Sequence, residues 1–486
     1  MAKTTPCTSR PSLLPPRAAH LLLSIATLLA ALPADLQAFD SGDPFATDAI
    51  TPLRPALSLD SVDKALMPCQ ALPADAAYGV LEVVDLALCR NPTTREVWSF
   101  ARVQAAQVGV AQSAFLPTLD GRLTVGRVSA DSQSANQRGA SLTLSWLLFD
   151  FGARSANLEV ARQLLKSAAS TLDSTVQSVF LSALQAYYNA QAARAAVVAA
   201  LKSEQASQAS LSAAEVRYRV GTGTPADRLQ AQTAWSQATL TRIRAEGVLR
   251  NTLGRLANVM GLDANQQLRL DESPSATPDA AFDRDVAALI DEARERRPDL
   301  KAVEADLKAA QAGVDLARAA GLPTISLNAG PAWESIGGLS ANANSVGLAL
   351  SLPIFSAFNT TYNVRTAEAR SGVQAARLDN VRLQVALDVW EAYQNLTTAT
   401  QTVRTTADLL ASAEHSERVA LGRYKAGVGN ILDVLSAQSA LANARLQRVQ
   451  AMLDWHVSRA TLARAIGLLD GNLLLSPGGT RKAPTP

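Results

Sequence analysis

Cysteine and histidine are nearly missing from this chain, with three of each among 486 residues. His20 lies in an apolar N-terminal stretch, and His415 and His456 stand alone on segments of helical pattern, where solvent or packing roles outweigh ligation. No cluster has metal-ligand spacing and no phosphate-binding glycine loop occurs. The sequence therefore predicts no catalytic residues, no metal, no cofactor and no enzyme activity, and any energy for its work comes from a partner. A dominant charge is also absent: 45 Lys and Arg against 43 Asp and Glu leave a formal +2, with no long basic run to follow a phosphate backbone. Nucleic acid is not an expected partner.

Long apolar runs are missing too, with one partial exception. Lys3, Arg10 and Arg17 precede the apolar run Ala18–Leu32, and Pro33 and the small Ala38 follow it. This is the layout of a secretory signal peptide, with cleavage expected after Ala38. An uncleaved anchor is the alternative; against it counts the length of the run, since a spanning helix needs ~20 apolar residues. No later run approaches that length, so the expected exported chain enters a membrane only as strands. Cys7 falls in the signal. Cys69 and Cys89 remain, and the sequence leaves open whether they pair in an oxidising compartment. Neither directly follows the apolar segment, so no lipid anchor is expected.

What the chain does contain is a duplication. RYRVGTGTPADRLQAQ, from Arg217 to Gln232, returns as RYKAGVGNILDVLSAQ from Arg423 to Gln438, a displacement of 206 (423 − 217). The same displacement relates Pro92 to Pro298, Pro117 to Pro323, Phe149 to Phe355, Tyr187 to Tyr393 and Gly261 to Gly467. A period this long marks a duplicated domain-sized unit.

Each unit reads alike. Helical patterning runs from Leu81 to Phe115, and Pro117 ends it. Two alternating runs follow. Leu119, Gly121, Leu123 and Val125 alternate with polar residues, and after the polar stretch Ser129–Arg138 so do Ala140, Leu142, Leu144, Trp146 and Leu148. The second unit repeats this with Ile325, Leu327, Ala329 and Trp333, then Val346, Leu348, Leu350, Leu352 and Ile354, across a Gly- and Asn-rich loop, Glu334–Ser345. From Ala153 to Val220 there is no proline and little glycine, enough for a helix ~100 Å long. Gly221 ends it, Thr224 caps the next helix and Pro225 opens it. The return helix makes an antiparallel coiled-coil hairpin with the duplicated motif at its tip. In the second unit Val389, Tyr393, Leu396, Thr400, Val403, Ala407 and Leu410 read as a coiled-coil seam.

The expected organisation is a signal peptide (1–38), an extended leader (39–80), a first repeat (81–262), a linker (263–283), a second repeat (284–469) and a tail (470–486). The strands are expected at about 118–128, 139–149, 324–333 and 344–354, and the helical hairpins at 153–260 and 359–466. Four strands apolar on one face match those of an outer-membrane barrel but cannot close one, and open edges are not tolerated in lipid. Chains must then share a barrel, with Trp146 and Trp333 placed for a membrane interface.

The order of elements, the duplication and the YxxG…DxLxAQ tip motif together resemble the TolC family of outer-membrane channel-tunnels over about residues 80 to 470. The resemblance implies an α+β membrane protein of the cell outer membrane, a homotrimer with a 12-stranded β-barrel above a coiled-coil tunnel in the periplasm. It also implies docking onto a periplasmic adaptor and an inner-membrane ABC transporter. The missing lipobox cysteine and the long leader containing Cys69 point to the type I secretion branch, with a secreted protein toxin as cargo. A small-molecule efflux channel of the same fold and a non-channel periplasmic coiled-coil protein are the alternatives.

The resemblance also implies that the hairpin tips close the periplasmic entrance through tyrosine, acidic and basic side chains. The matching gate positions are Asp227, Tyr424 and Asp433. Two positions depart: Gly429 stands where a gate arginine is expected and Ser436 where a second acid is expected, with Arg228 or Lys425 as substitutes. The alternative for both aspartates is stabilisation of a first helical turn. Copies of Asp433 near an axis would make a cation-attracting ring. Val220, Gly221, Thr222, Ala426, Gly427 and Val428 are the expected adaptor contacts, although the glycines are needed as caps whatever the function.

Overall fold

The computed structural model describes residues 42–53, 77–130, 133–271 and 285–469. The signal segment, Cys69, most of the leader and linker, and the tail lie outside the described residues. The chain divides into two units, Met1–Ile50 and Thr51–Pro486. In the first, the Asp43 carboxylate accepts from the Asp48 amide at 2.8 Å and the Thr47 hydroxyl at 3.0 Å. These bonds to the ionised form hold its pKa below the usual range.

The second unit begins with β1 (Ala77–Tyr78), α1 (Val80–Arg90), α2 (Pro92–Ser113), β2 (Thr118–Ala130), β3 (Gln133–Phe149), α3 (Ala153–Arg219) and α4 (Pro225–Val259). It continues with β4 (Arg269–Leu270), α5 (Val286–Arg296), α6 (Pro298–Ala319), β5 (Thr324–Ile336), β6 (Leu339–Ser351), α7 (Asn359–Lys425) and α8 (Ile431–Ala465). α5, α6, β5, α7 and α8 repeat α1, α2, β2, α3 and α4 at the displacement of 206 (286 − 80), end for end.

The helix expected from Leu81 to Phe115 is broken at Asn91. Pro92 lacks the amide that would continue the ladder, and Asn91 caps the new helix by accepting from the Thr93 amide at 2.9 Å. Cys89 is disulfide-bonded, and the cysteine it pairs with lies outside the described residues.

β2, β3, β5 and β6 form one antiparallel sheet in that order, leaving β2 and β6 as edges. Residues directly opposite share a face, so the register Leu119–Leu144–Ala329–Val346 carries one apolar stripe across all four strands. That face is bare in the single chain, with Leu123 84% and Val346 80% exposed. Among the described residues no helix is long and apolar enough to cross a membrane.

Both strand hairpins are longer and tighter than their polarity suggests. The stretches expected as loops, Ser129–Arg138 and Glu334–Ser345, are largely paired strand. Only Gly337 and Gly338 turn the second hairpin, with φ of +60° and +92°. Two-residue hairpin turns need such angles, and glycine adopts them freely. β6 stops at Ser351 rather than Ile354 because Pro353 has no amide to donate.

α3 and α7 are 67 residues each and α4 and α8 are 35 each. α3 packs against α4, α2 and α1 of its own half and against α6 and α8 of the other. The first core joins Leu86 of α1, Leu184 and Tyr187 of α3, Leu256 of α4 and Ala460 and Ala463 of α8. The second joins Leu289 of α5 to Val385, Val389 and Leu396 of α7 and to Trp455 and Leu462 of α8. The α7 seam shares Val389, Leu396, Val403 and Leu410 with the sequence expectation. Its alternate positions, however, are Ala392, Ala399 and Thr406, each one residue before Tyr393, Thr400 and Ala407. The two small alanines allow close helix approach, and the Thr406 hydroxyl satisfies itself on the Thr402 carbonyl at 2.8 Å.

Candidate functional site

The two helical tips begin from one local rule. A long helix ends when its last carbonyls are capped by a left-handed glycine. Gly221 (φ +73°) and Gly427 (φ +80°) do this. The amide of Thr222 donates to the Arg217 carbonyl at 2.9 Å, and that of Val428 to the Arg423 carbonyl at 3.1 Å. Two residues on, Gly223 and Gly429 fold back over the helix end. A Cβ at Gly429 would stand 2.9 Å from the Tyr424 nitrogen and 3.0 Å from the Arg423 carbonyl carbon. The arginine expected at this position would force the backbone of the turn to shift.

The return helices start differently, and this separates the two aspartates. In the first tip Thr224 and Asp227 form a reciprocal capping box. The Asp227 amide donates to Thr224 Oγ1 at 3.1 Å and the Thr224 amide to Asp227 Oδ2 at 3.0 Å. In the second, Asn430 caps by accepting from the Leu432 amide at 3.0 Å, one residue short of Asp433. Asp227 is thus tied to its own turn, half-buried, while Asp433 sits exposed in the same helical register. Among the described residues no hydrogen bond or ion pair joins Asp227, Tyr424 and Asp433 to one another.

Tyr424 is brought to a different partner. It is buried against Ile431 and Val434, and the Arg217 guanidinium lies over its ring at 4.6 Å. The same guanidinium donates from Nη1 to the Tyr424 carbonyl at 3.0 Å, joining the first tip to the second. About two turns up, Gln438 Nε2 donates to Ser210 Oγ at 3.0 Å, both groups buried. A cation over an aromatic face is worth about 0.5–2 kcal/mol, more as it is desolvated. Neither Arg217 nor Ser210 was assigned a role from sequence, although the recurrence of Arg217 at Arg423 was the available signal.

Arg228, a proposed substitute for the missing arginine, lies over the Tyr218 ring of its own tip at 5.2 Å. Lys425 is exposed at the end of α7. The six expected adaptor contacts, Val220, Gly221, Thr222, Ala426, Gly427 and Val428, all stand exposed at the two apices, with Val220 67% and Val428 70% accessible.

The model of the outer membrane efflux protein family matches residues 83–262 and again 289–468, two matches set apart by the same 206 residues (289 − 83). CyaE of Bordetella pertussis is 33% identical over 429 residues, covering 85% of this chain and 90% of that protein. The outer membrane protein TolC of Escherichia coli is 22% identical over 428 residues, covering 84% and 86%. Among solved structures, the CmeC outer membrane channel of Campylobacter jejuni has the same fold, with a TM-score of 0.73 at 21% identity over 80% of this chain and 86% of that one.

Proposed function

Because the chain belongs to the outer membrane efflux protein family, and is an outer-membrane channel extending into the periplasm rather than an enzyme, we propose that it is the exit duct of a type I secretion system. In this reading a homotrimer receives a protein toxin from an inner-membrane ABC transporter through a periplasmic adaptor and passes it to the exterior. TolC-like channels are homotrimers that work with adaptors and inner-membrane transporters. A soluble coiled-coil protein is no longer an alternative.

The observation that carries the shared channel is the unfinished second half. Leu181 and Leu184 of α3 are 7% and 2% exposed because α4 and the other half cover them, whereas their counterparts on α7, Leu387 and Trp390, are 47% and 49% exposed. α6 and α8 cover α3, so the duplication offers α2 and α4 of a neighbouring copy to cover α7. The sheet repeats the argument. Moving the pairing of Leu144 with Ala329 by 206 places Leu350 of β6 opposite Leu123 of the next copy's β2. Four strands from each of three chains then close twelve, with no edge left in lipid.

The tips complete the reading as gate and dock. Exposed Asp433 supplies the acidic ring at the entrance, with Tyr424 behind it. Asp227 contributes by holding the first tip's turn. The six apical residues present small, accessible surface to an adaptor's helices. For cargo, support comes from the 33% identity to CyaE together with the lipobox-free leader. Small-molecule efflux is the second reading, favoured by membership of a family of efflux proteins. Deleting the gene and assaying protein export and drug susceptibility side by side decides between them. Lost export with unchanged susceptibility is expected, and unchanged export with increased susceptibility would transfer the function to efflux.

A further inference from the structure

The clasp between the two tips has a counterpart that a single chain cannot form. Arg217 and Ser210 lie on α3, and Tyr424 and Gln438 belong to the second tip and α8. Displaced by the repeat, the first pair becomes Arg423 and Ser416 on α7, and the second becomes Tyr218 and Gln232 of the first tip and α4. All four residues exist with identical side chains. Ser210, Gln438 and Tyr424 are buried, whereas Ser416, Gln232 and Tyr218 are exposed. Four matching side chains at repeat-related positions, clasped to one another in one setting and apart and exposed in the other, describe an interface lacking its second copy.

Resting on the channel reading above, we propose that the tunnel entrance is held by a ring of alternating arginine–tyrosine clasps. Arg217 lies on Tyr424 within each chain, and Arg423 lies on Tyr218 of the next, each keyed by its Ser–Gln pair. This ring stands where a lock through an arginine at position 429 is missing. It needs neither Asp227 nor Asp433.

The two sets of clasps are unequal. Beside Tyr424 stands Val434, fully buried in the apolar cluster around that ring. At the repeat-related position beside Tyr218 stands Arg228, its guanidinium 5.2 Å from the ring centre. An incoming Arg423 therefore meets a ring that already holds a cation, and like charges repel. The clasps between chains are the weaker set, so the entrance parts between chains first.

The test uses full-length protein in outer-membrane preparations. Cysteines at Gln232 and Ser416 are treated with a short bifunctional thiol reagent, and cysteines at Ser210 and Gln438 serve as the within-chain pair. The first pair is expected to convert the monomer band on a denaturing gel into a covalent ladder, and the second to leave chain mass unchanged. Both sites of the first pair are exposed in the single chain, so folding is spared. If light scattering finds a trimer and the first pair yields no ladder while the second pair reacts, the clasp ring is wrong and the channel reading survives. If the protein is not oligomeric at all, the channel reading itself falls. In planar bilayers Arg423→Ala is expected to raise closed-state conductance and Arg228→Val to lower it. Unchanged conductance in both would remove the ordering of the two sets.

Discussion

Replacing Leu387 and Trp390 together by alanine tests the repeat-derived assembly most directly. Each side chain is about half exposed in the single chain, whereas the repeat-related Leu181 and Leu184 are 7% and 2% exposed. Covering the bare half of a tryptophan removes on the order of 100 Å² from water, given that aromatic side chains bury 150–250 Å²; a leucine adds roughly 70 Å² on the same reasoning. At ~25 cal/mol per Å² this amounts to about 4 kcal/mol per interface. Three such interfaces in a closed ring give about 12 kcal/mol, on the order of 10⁹ in the trimer's association constant. The folded chain itself is spared, since neither residue supports its core. Leu184→Ala, by contrast, should cost the chain about 2–5 kcal/mol. The measurement is exchange between tagged and untagged chains in detergent, with helical content recorded in parallel. The double variant should exchange far faster at unchanged helicity. Trimers exchanging at the wild-type rate would refute the placement of α2 and α4 over α7, and with it the use of the duplication to build the neighbour.

The turn at the second tip predicts that Gly429→Ala, adding only a Cβ against the Tyr424 nitrogen, loosens the tip by about 1–3 kcal/mol. Limited proteolysis should cut there faster than in wild type, and equal rates would show that the turn absorbs the clash. Asp433→Lys should reduce cation selectivity and cation block in planar bilayers because that carboxylate is exposed. Asp227→Ala should mainly cost a capping box, about 1 kcal/mol of local helix stability; a larger conductance change at Asp227 than at Asp433 would reverse their roles. His456 is stacked on Tyr188 at 4.4 Å, and burial, helped by Arg459, lowers its pKa from 6.5 to about 4. The unfolded chain binds that proton first, so stability is full above about pH 6.5 and falls as pH drops towards 4, by at most about 3 kcal/mol. His456→Leu should flatten this slope in thermal melts at pH 7 and 4.5, and an unchanged slope would place the acid sensitivity elsewhere.

Much of the fold was legible because the relevant physics is local. Alternation of period two named the apolar faces of all four strands, since successive side chains on a strand point to opposite sides. Gly221 and Gly427 ended the long helices where a left-handed residue must stand. Hairpin length was not legible. The polar stretch Ser129–Arg138 and the loop-like Glu334–Ser345 are strand because pairing satisfies their backbones, and a strand with water on both faces needs no apolar residue to say so. The α7 seam was off by one at every other position because Ala392 and Tyr393 both satisfy a heptad, and only the approach of α8 chooses between them.

At the tips the sequence by itself determined the turns, the duplicated motif and the displacement of 206, because caps, glycines and repeats are written in neighbouring residues. Only the tertiary structure decided what the charged groups do. It bound Asp227 into a capping box and left Asp433 in the open. It laid Arg217 across Tyr424, residues 207 apart in the chain, and set Gly429 where a Cβ would press on the Tyr424 nitrogen. Each of these depends on which helix lies alongside which, a choice made by burial of the α3 and α8 faces and not by any stretch of sequence read alone.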